Sequence, residues 1–239
     1  MADTPADAFI DTNQIEQEFK EFTYIISHDL SAPLRTVVEF SRLLNSEYAD
    51  KLDGEAKEYL GLITEGGLKL QTMLQGLLDY SRLNTMAKPP SLVNCNTILA
   101  DCQLVLKNEM KAKKAVLEIG TLPTVKADAE QLMQLFLILL NNALKFNAGN
   151  PPRINIGAEQ NDAYWIFSIR DNGIGIPAEF YDRIFKPFQR LHTESEYEGI
   201  GMGLSLAKKI AERHGGRVWV ESVLGKGSCF MFSIPLHGI

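Results

Sequence analysis

Cysteine is scarce and unpatterned in this chain of 239 residues: Cys95, Cys102 and Cys229 are odd in number, form no CxxC pair and have no histidine cluster beside them. That excludes a disulfide scaffold and the usual zinc frameworks, and fits reduced thiols in a cytosolic protein. Long apolar runs are lacking too. The longest, residues 135–140, stops at Asn141 and Asn142, far short of the roughly 20 residues that span a bilayer. The acidic, polar N-terminus has neither the basic nor the apolar region of a signal peptide. A cytoplasmic location without direct membrane insertion is therefore expected. Basic excess is also missing: 24 Lys and Arg against 30 Asp and Glu leave a net charge of -6, so nucleic acid and anionic membranes are not expected partners. There is no internal repeat and no low-complexity tract. What remains, 45% hydrophobic and 23% charged, is enough for one or two packed domains.

Apolar residues recur at helical spacing over residues 13–45, among them Ile15, Phe19, Phe22, Ile26, Leu30, Leu34 and Val37. After a polar break, Asp53 reads as an N-cap, and a second periodic run continues to about residue 84. Two helices of this length make a hairpin. One hairpin cannot cover two broad apolar stripes, so pairing as a four-helix homodimer is the economical arrangement. Gly66 and Gly67 inside the second helix mark either a bend or a close packing contact. The pattern changes after residues 85–91, where Pro89-Pro90 has the composition of a linker. Helical runs at 96–113, 128–146 and 204–214 then alternate with strand-like runs at 116–119, 153–158, 164–170, 217–222 and 228–234. The second helical run opens on a candidate Asp128/Gln131 capping box. The expected organisation is a tail at 1–13, a helical hairpin domain at 14–88, and at 89–239 an α/β sandwich with a helical layer on a mixed sheet.

Chemistry concentrates in five short stretches. SHDLSAPLR (27–35) sets His28 beside Asp29 ahead of a helix-kinking Pro33. A neutral imidazole is a nucleophile near physiological pH, and a carboxylate can fix its tautomer. Spacing alone leaves the partner open, since adjacent helix residues point about 100° apart. In DNGIGIP (171–177), Asp171 follows an apolar strand, and Gly173 and Gly175 permit a tight turn with close backbone approach to a ligand. An ionised aspartate only accepts hydrogen bonds and so suits the amine of adenine; a plain turn is the alternative. GIGMGL (199–204) places Gly199, Gly201 and Gly203 at the opening of a helix, where free N–H groups favour phosphate. It lacks the GxGxxG spacing and βαβ context of a dinucleotide site. In LLNNALKFN (139–147), Asn142 and Lys145 share a helix face, with Leu135, Leu139 and Phe146 expected on the buried one. An amide oxygen suits Mg²⁺, and Lys145 can offset phosphate charge. The polar segment between, with FKPF (185–188) and Arg190, suits a mobile lid.

In this order, the asparagine helix, DxGxG, lid and glycine loop resemble the ATP-binding domain shared by histidine kinases, gyrase, Hsp90 and MutL, and GKGSCF (225–230) resembles its final glycine motif. With SHDLSAPLR ahead of it, the whole resembles the catalytic core of a sensor histidine kinase, most like those coupled to phytochrome or PAS-type sensors. The resemblance implies ATP as cofactor, with Mg²⁺ on Asn142, adenine on Asp171, and phosphate contacts from Lys145, Arg190 and the backbone around Gly201 and Gly203. It further implies His28 as phosphoacceptor and Asp29 as general base, in a homodimer that passes the phosphoryl group to an aspartate of a response regulator docked near His28. Two positions depart from the family pattern. Ile138 stands where a first asparagine is usual, and Ala32 where many relatives carry Thr or Asn for dephosphorylating the regulator. Given Ile138, a dimeric nucleotide-binding scaffold that docks a regulator without transferring phosphate is the competing expectation. An ATPase of the gyrase type would leave SHDLSAPLR without a purpose. Neither the input signal nor a particular regulator is written in these residues.

Overall fold

The computed structural model describes residues 12–83, 87–147, 149–193, 196–197 and 199–237, with the side chains of the first helix described from residue 25 onward. Nearly all of the expected tail, residues 84–86 at the hairpin's end and in the linker, and the side chains of Ile15, Phe19 and Phe22 lie outside these. The chain divides into two compact units, Met1–Arg82 and Leu83–Ile239.

The first unit is a helical hairpin of α1 (Thr12–Glu47) and α2 (Gly54–Arg82). Asp53 caps α2, its Oδ1 accepting the Ala56 N–H at 2.8 Å, which satisfies one of the donors a helix start leaves open. Pro33 lies inside α1. Around it, Ser31 and Thr36 turn their hydroxyls back onto the carbonyls of Ser27 and Ala32. The helices approach closely where Val38, 2% exposed, faces Gly67: a Cβ at Gly67 would fall 2.4 Å from Val38 Cγ2, whereas one at Gly66 would meet nothing within 4 Å. Close packing is thus the reason for the second glycine. Away from that seam, Phe40 and Leu62 remain 62% and 60% exposed, so the pair leaves a broad apolar surface outside its own contact.

The second unit is an α/β sandwich. A five-stranded sheet runs in the order β2 (Val116–Ile119), β4 (Arg153–Gln160), β5 (Tyr164–Asp171), β7 (Gly227–Pro235), β6 (Val218–Val223). The β2–β4 pair is parallel and the others are antiparallel, so the sheet is mixed. Helices α4 (Ala129–Lys145) and α5 (Gly203–Arg213) rest on it, and α3 (Cys95–Ala112) packs on α4. Alternation along the strands explains the layer. Phe167, Ile169, Phe230 and Phe232 face inward and are buried, Phe167 stacks on Phe232 at 4.7 Å, and Phe136 of α4 meets both rings edge-on. Two strands that the sequence did not announce, β1 (Ser91–Asn94) and β3 (Thr124–Ala127), form a separate antiparallel pair.

The start of α4 corrects the expected capping box. Asp128 accepts the N–H groups of Glu130 and Gln131 as foreseen. However, the Gln131 amide does not reach back: it donates to the carbonyl of Leu83 at 2.8 Å, and the Asp128 N–H goes instead to His214 Nε2 at 3.0 Å. His214 Nδ1 donates to the Ile210 carbonyl. This neutral tautomer ties the end of α5 to the start of α4, and burial pushes its pKa down.

Candidate functional site

A single cavity in the second unit gathers most of the residues singled out for nucleotide chemistry. Asn142 and Lys145 enter from the last turn of α4, and Asp171 from the end of β5. Gly175 comes from the turn after it, Arg190 from the following irregular segment, and Gly199, Gly201 and Gly203 from the loop opening α5. The exception is Gly173, which stands behind the wall. Its N–H donates to Asp171 Oδ1 at 2.8 Å, and a Cβ there would lie 2.2 Å from the Phe146 carbonyl oxygen. Phe146 differs too. Expected on the buried face of α4, it is half-buried and lines the cavity, where Tyr197 approaches its ring at 4.9 Å and Lys145 Nζ lies 4.5 Å from its centroid.

Asp171 is organised as an acceptor. Oδ1 takes two backbone N–H groups, from Gly173 at 2.8 Å and Ser228 at 3.1 Å, leaving Oδ2 for the cavity. Burial pushes the carboxyl above its ordinary value, and the two N–H bonds oppose that shift. The turn carrying it is tight: Gly175 has φ +72°, and a Cβ there would strike the Val223 carbonyl at 2.2 Å. Across the cavity, α5 begins without a side-chain cap, so its first N–H groups and the positive end of its dipole face the space lined by Met202, Gly203 and Leu204. Lys145 Nζ reaches to 3.0 Å from where a Gly199 Cβ would be. Arg190 donates through Nη2 to the Tyr197 carbonyl at 2.8 Å. Asn142 is half-buried and its amide has no hydrogen-bond partner among the described residues. A neutral amide oxygen in the same cavity as the uncapped start of α5 fits a Mg²⁺ ion that arrives with its nucleotide, taking few protein ligands. No cluster of three acidic, His or Cys side chains able to hold a free-standing metal occurs among the described residues.

Ile138 neither lines the cavity nor lies fully in the core. It is half-buried, with Cγ2 3.4 Å from where a Gly203 Cβ would be, beneath the start of α5. Sequence reasoning missed Ser222, Tyr181, Asn172 and His214, which act through backbone bonds between distant segments. Asn172, for example, accepts the Arg153 N–H at 2.8 Å and donates to the Pro151 carbonyl, holding the chain after α4 against the DNG turn.

In the hairpin, His28 and Asp29 are 72% and 70% exposed, and Nδ1 lies 3.1 Å from Asp29 Oδ1. The 100° offset is thus bridged by the two rotamers. A carboxylate only accepts, so Nδ1 carries the proton of this contact, and in the neutral ring the lone pair then falls on Nε2.

Two families match the chain in tandem. Residues 20–85 match the His Kinase A (phospho-acceptor) domain, and residues 127–238 the histidine kinase-, DNA gyrase B-, and HSP90-like ATPase. The chain thus carries, in tandem, the two domains of a histidine kinase catalytic core. It is 44% identical to cyanobacterial phytochrome A of Nostoc sp. over 238 residues, covering 100% of this chain and 31% of that protein. It is 40% identical to the phytochrome-like protein Cph1 of Synechocystis sp., covering 92% and 29%. Among solved structures, full-length ShkA in complex with AMPPNP superposes with a TM-score of 0.67 at 27% identity, over 90% of this chain and 46% of that one. The chain spans less than a third of the length of either phytochrome.

Proposed function

We propose that this chain is the kinase core of a sensor: it transfers the γ-phosphoryl group of ATP to His28 and then to an aspartate of a response regulator. The observation that carries this is the exposed His28 with its Nδ1 proton held on Asp29, in the same chain as a cavity with an acceptor carboxylate at one end and an uncapped helix start at the other. Residues 14–88 would form the dimerisation and phosphotransfer domain and 89–239 the catalytic domain. The exposed apolar surface of α1 and α2 supports a homodimer.

The Nε2 lone pair attacks the γ-phosphorus as the bond to the β–γ bridging oxygen breaks, releasing ADP. The Nδ1 proton passes to Asp29, the general base, so that the product is a neutral phosphoimidazole. Asp171 and the backbone of Gly175 hold the adenine end. Lys145, Arg190 and the N–H groups around Gly199, Gly201 and Gly203 hold the phosphates, and Arg190 leaves its bond to the Tyr197 carbonyl to do so. Asn142 would hold Mg²⁺, which neutralises charge on the phosphates when bound. The reading is tested by loading the protein with labelled ATP, removing free nucleotide and adding a receiver domain. Label should move to the receiver's aspartate within the mixing time, and EDTA before loading should prevent it. ATP consumption with no protein-bound label would contradict the reading.

A further inference from the structure

α4 ends at the cavity, with Asn142, Lys145 and the capping residue Phe146 in its wall. A helix end leaves its final carbonyls without intrahelical donors and carries the negative pole of the dipole, a poor surface to set beside a phosphate chain. The Asn142 carbonyl accepts the Phe146 N–H at 3.0 Å, and the Phe146 carbonyl accepts the Ile174 N–H at 3.0 Å. Between them, the Leu144 carbonyl finds its donor on the neighbouring helix: Lys113 Nζ reaches it at 3.0 Å. The same ammonium lies 2.9 Å from Glu109 Oε1, one turn earlier in α3, which holds the side chain in that direction. Lys113 is the C-cap of α3, and the helix stops directly after it. The Ala115 N–H returns to the Met110 carbonyl at 2.8 Å and the Lys114 N–H to the Lys111 carbonyl at 3.2 Å, the pattern of a Schellman turn. Lys114 fills the left-handed position of that turn with φ +53°, where glycine is the usual residue, so the stop is held against backbone strain.

We infer that Lys113 is a positioning residue for the phosphate and metal end of the cavity: by holding the Leu144 carbonyl, it fixes the turn that presents Asn142 and Lys145 and offsets the negative pole of α4 beside the phosphates. This rests on the nucleotide reading above. Lys113 is not among the residues that line the cavity, so it acts through the backbone of α4. The other end of the cavity does not depend on this bond, because Asp171 stands on β5 and takes its two N–H groups from Gly173 and Ser228.

The test is calorimetric binding of Mg²⁺-ATP and of adenosine to the full chain. Lys113 is 38% exposed, so Lys113→Met is expected to fold. In that variant Mg²⁺-ATP affinity should fall about three- to tenfold, the scale of one cation lost from a helix C-terminus, while adenosine affinity stays at the parent value. Lys113→Arg, which keeps a cation and its donors, should restore Mg²⁺-ATP binding. Lys111→Met removes an equal charge from the same turn of α3 and should change neither affinity. Leu106→Val loosens the buried side of α3 and should lower the melting temperature, again with both affinities kept. An unchanged Mg²⁺-ATP affinity in Lys113→Met overturns the inference, as does a matching loss of adenosine affinity. An equal loss of Mg²⁺-ATP affinity in Lys111→Met would mean attraction by charge alone, and in Leu106→Val general loosening; either result overturns it too. A parent protein that binds neither ligand contradicts the kinase reading itself. A parent that binds Mg²⁺-ATP, with no response in Lys113→Met, contradicts only the role of Lys113.

Discussion

Replacing Asp171 with asparagine separates what this carboxylate does for the nucleotide from what it does for the fold. Oδ1 accepts from Gly173 at 2.8 Å and from Ser228 at 3.1 Å, and an asparagine carbonyl can keep both bonds. The other position changes from an acceptor to an NH₂ donor. Because burial holds the Asp171 carboxyl above its ordinary value, the folded pKa exceeds the unfolded one. The stability this group contributes is complete below the unfolded pKa and is lost as pH rises through the folded pKa. At pH 7.5 the ionised carboxylate therefore costs the unliganded domain, and Asp171→Asn should melt no lower than the parent. ATP affinity should fall by about 2–3 kcal/mol, roughly 30- to 150-fold, because a donor now meets the donor of the adenine amine. Isothermal calorimetry and thermal melts at pH 7.5 measure the two effects on one sample. ATP affinity within twofold of the parent would show that Asp171 is a turn residue that reads nothing, and a clear drop in unliganded melting temperature would show that its charge holds the loop.

Other substitutions probe the frame around the site. Ile138→Asn puts an amide beneath the start of α5, beside Gly203. It should cost about 1–2 kcal/mol in a denaturant titration without raising the initial labelling rate, and a faster rate would show that the position reaches the nucleotide's metal after all. His214 has a folded pKa below its unfolded one, so its contribution is complete above the unfolded pKa and is lost as pH falls below it. The urea midpoint should drop between pH 7.5 and 5.5, and the drop should shrink in His214→Gln; an equal drop in both proteins would contradict the role. Gly67→Ala drives a methyl to 2.4 Å from Val38 Cγ2 and should destabilise the hairpin by about 1–3 kcal/mol. Gly66→Ala should stabilise it by up to about 1 kcal/mol, and equal effects at the two glycines would refute the packing account.

The parts of this structure that could be read from the sequence are those with a long period or a dense chemical signature. α1, α2 and α4 each carry apolar residues at helical spacing over four or more turns, and Asp53 and Asp128 mark helix starts as an N-cap should. β1 and β3 went unnoticed because each of these four-residue strands has only two apolar residues, against three in the equally short β2; their pairing is decided by the buried Val93 and Val125. That Asn142, Lys145 and Asp171 would share one cavity was legible because their motifs point to one kind of ligand. Gly173 was assigned to the wall when its work is to hold Asp171, since spacing shows that a glycine is needed but not which side of the turn faces the ligand. Ser222, Tyr181 and His214 were illegible for a different reason. Their partners lie 41 residues away for Tyr181 and 86 for His214, and serine, tyrosine and histidine carry no local pattern that reports such bonds.

The central claim, that His28 takes the phosphoryl group, is tested most directly by incubating the parent protein and His28→Ala with γ-labelled ATP and Mg²⁺ and measuring both protein-bound label and ATP affinity. The exposed ring with its proton on Asp29 predicts acid-labile, alkali-stable label on the parent and none on His28→Ala, with ATP affinity unchanged because the cavity lies in the other unit. Label persisting in His28→Ala, or a parent that binds ATP and never becomes labelled, would contradict it.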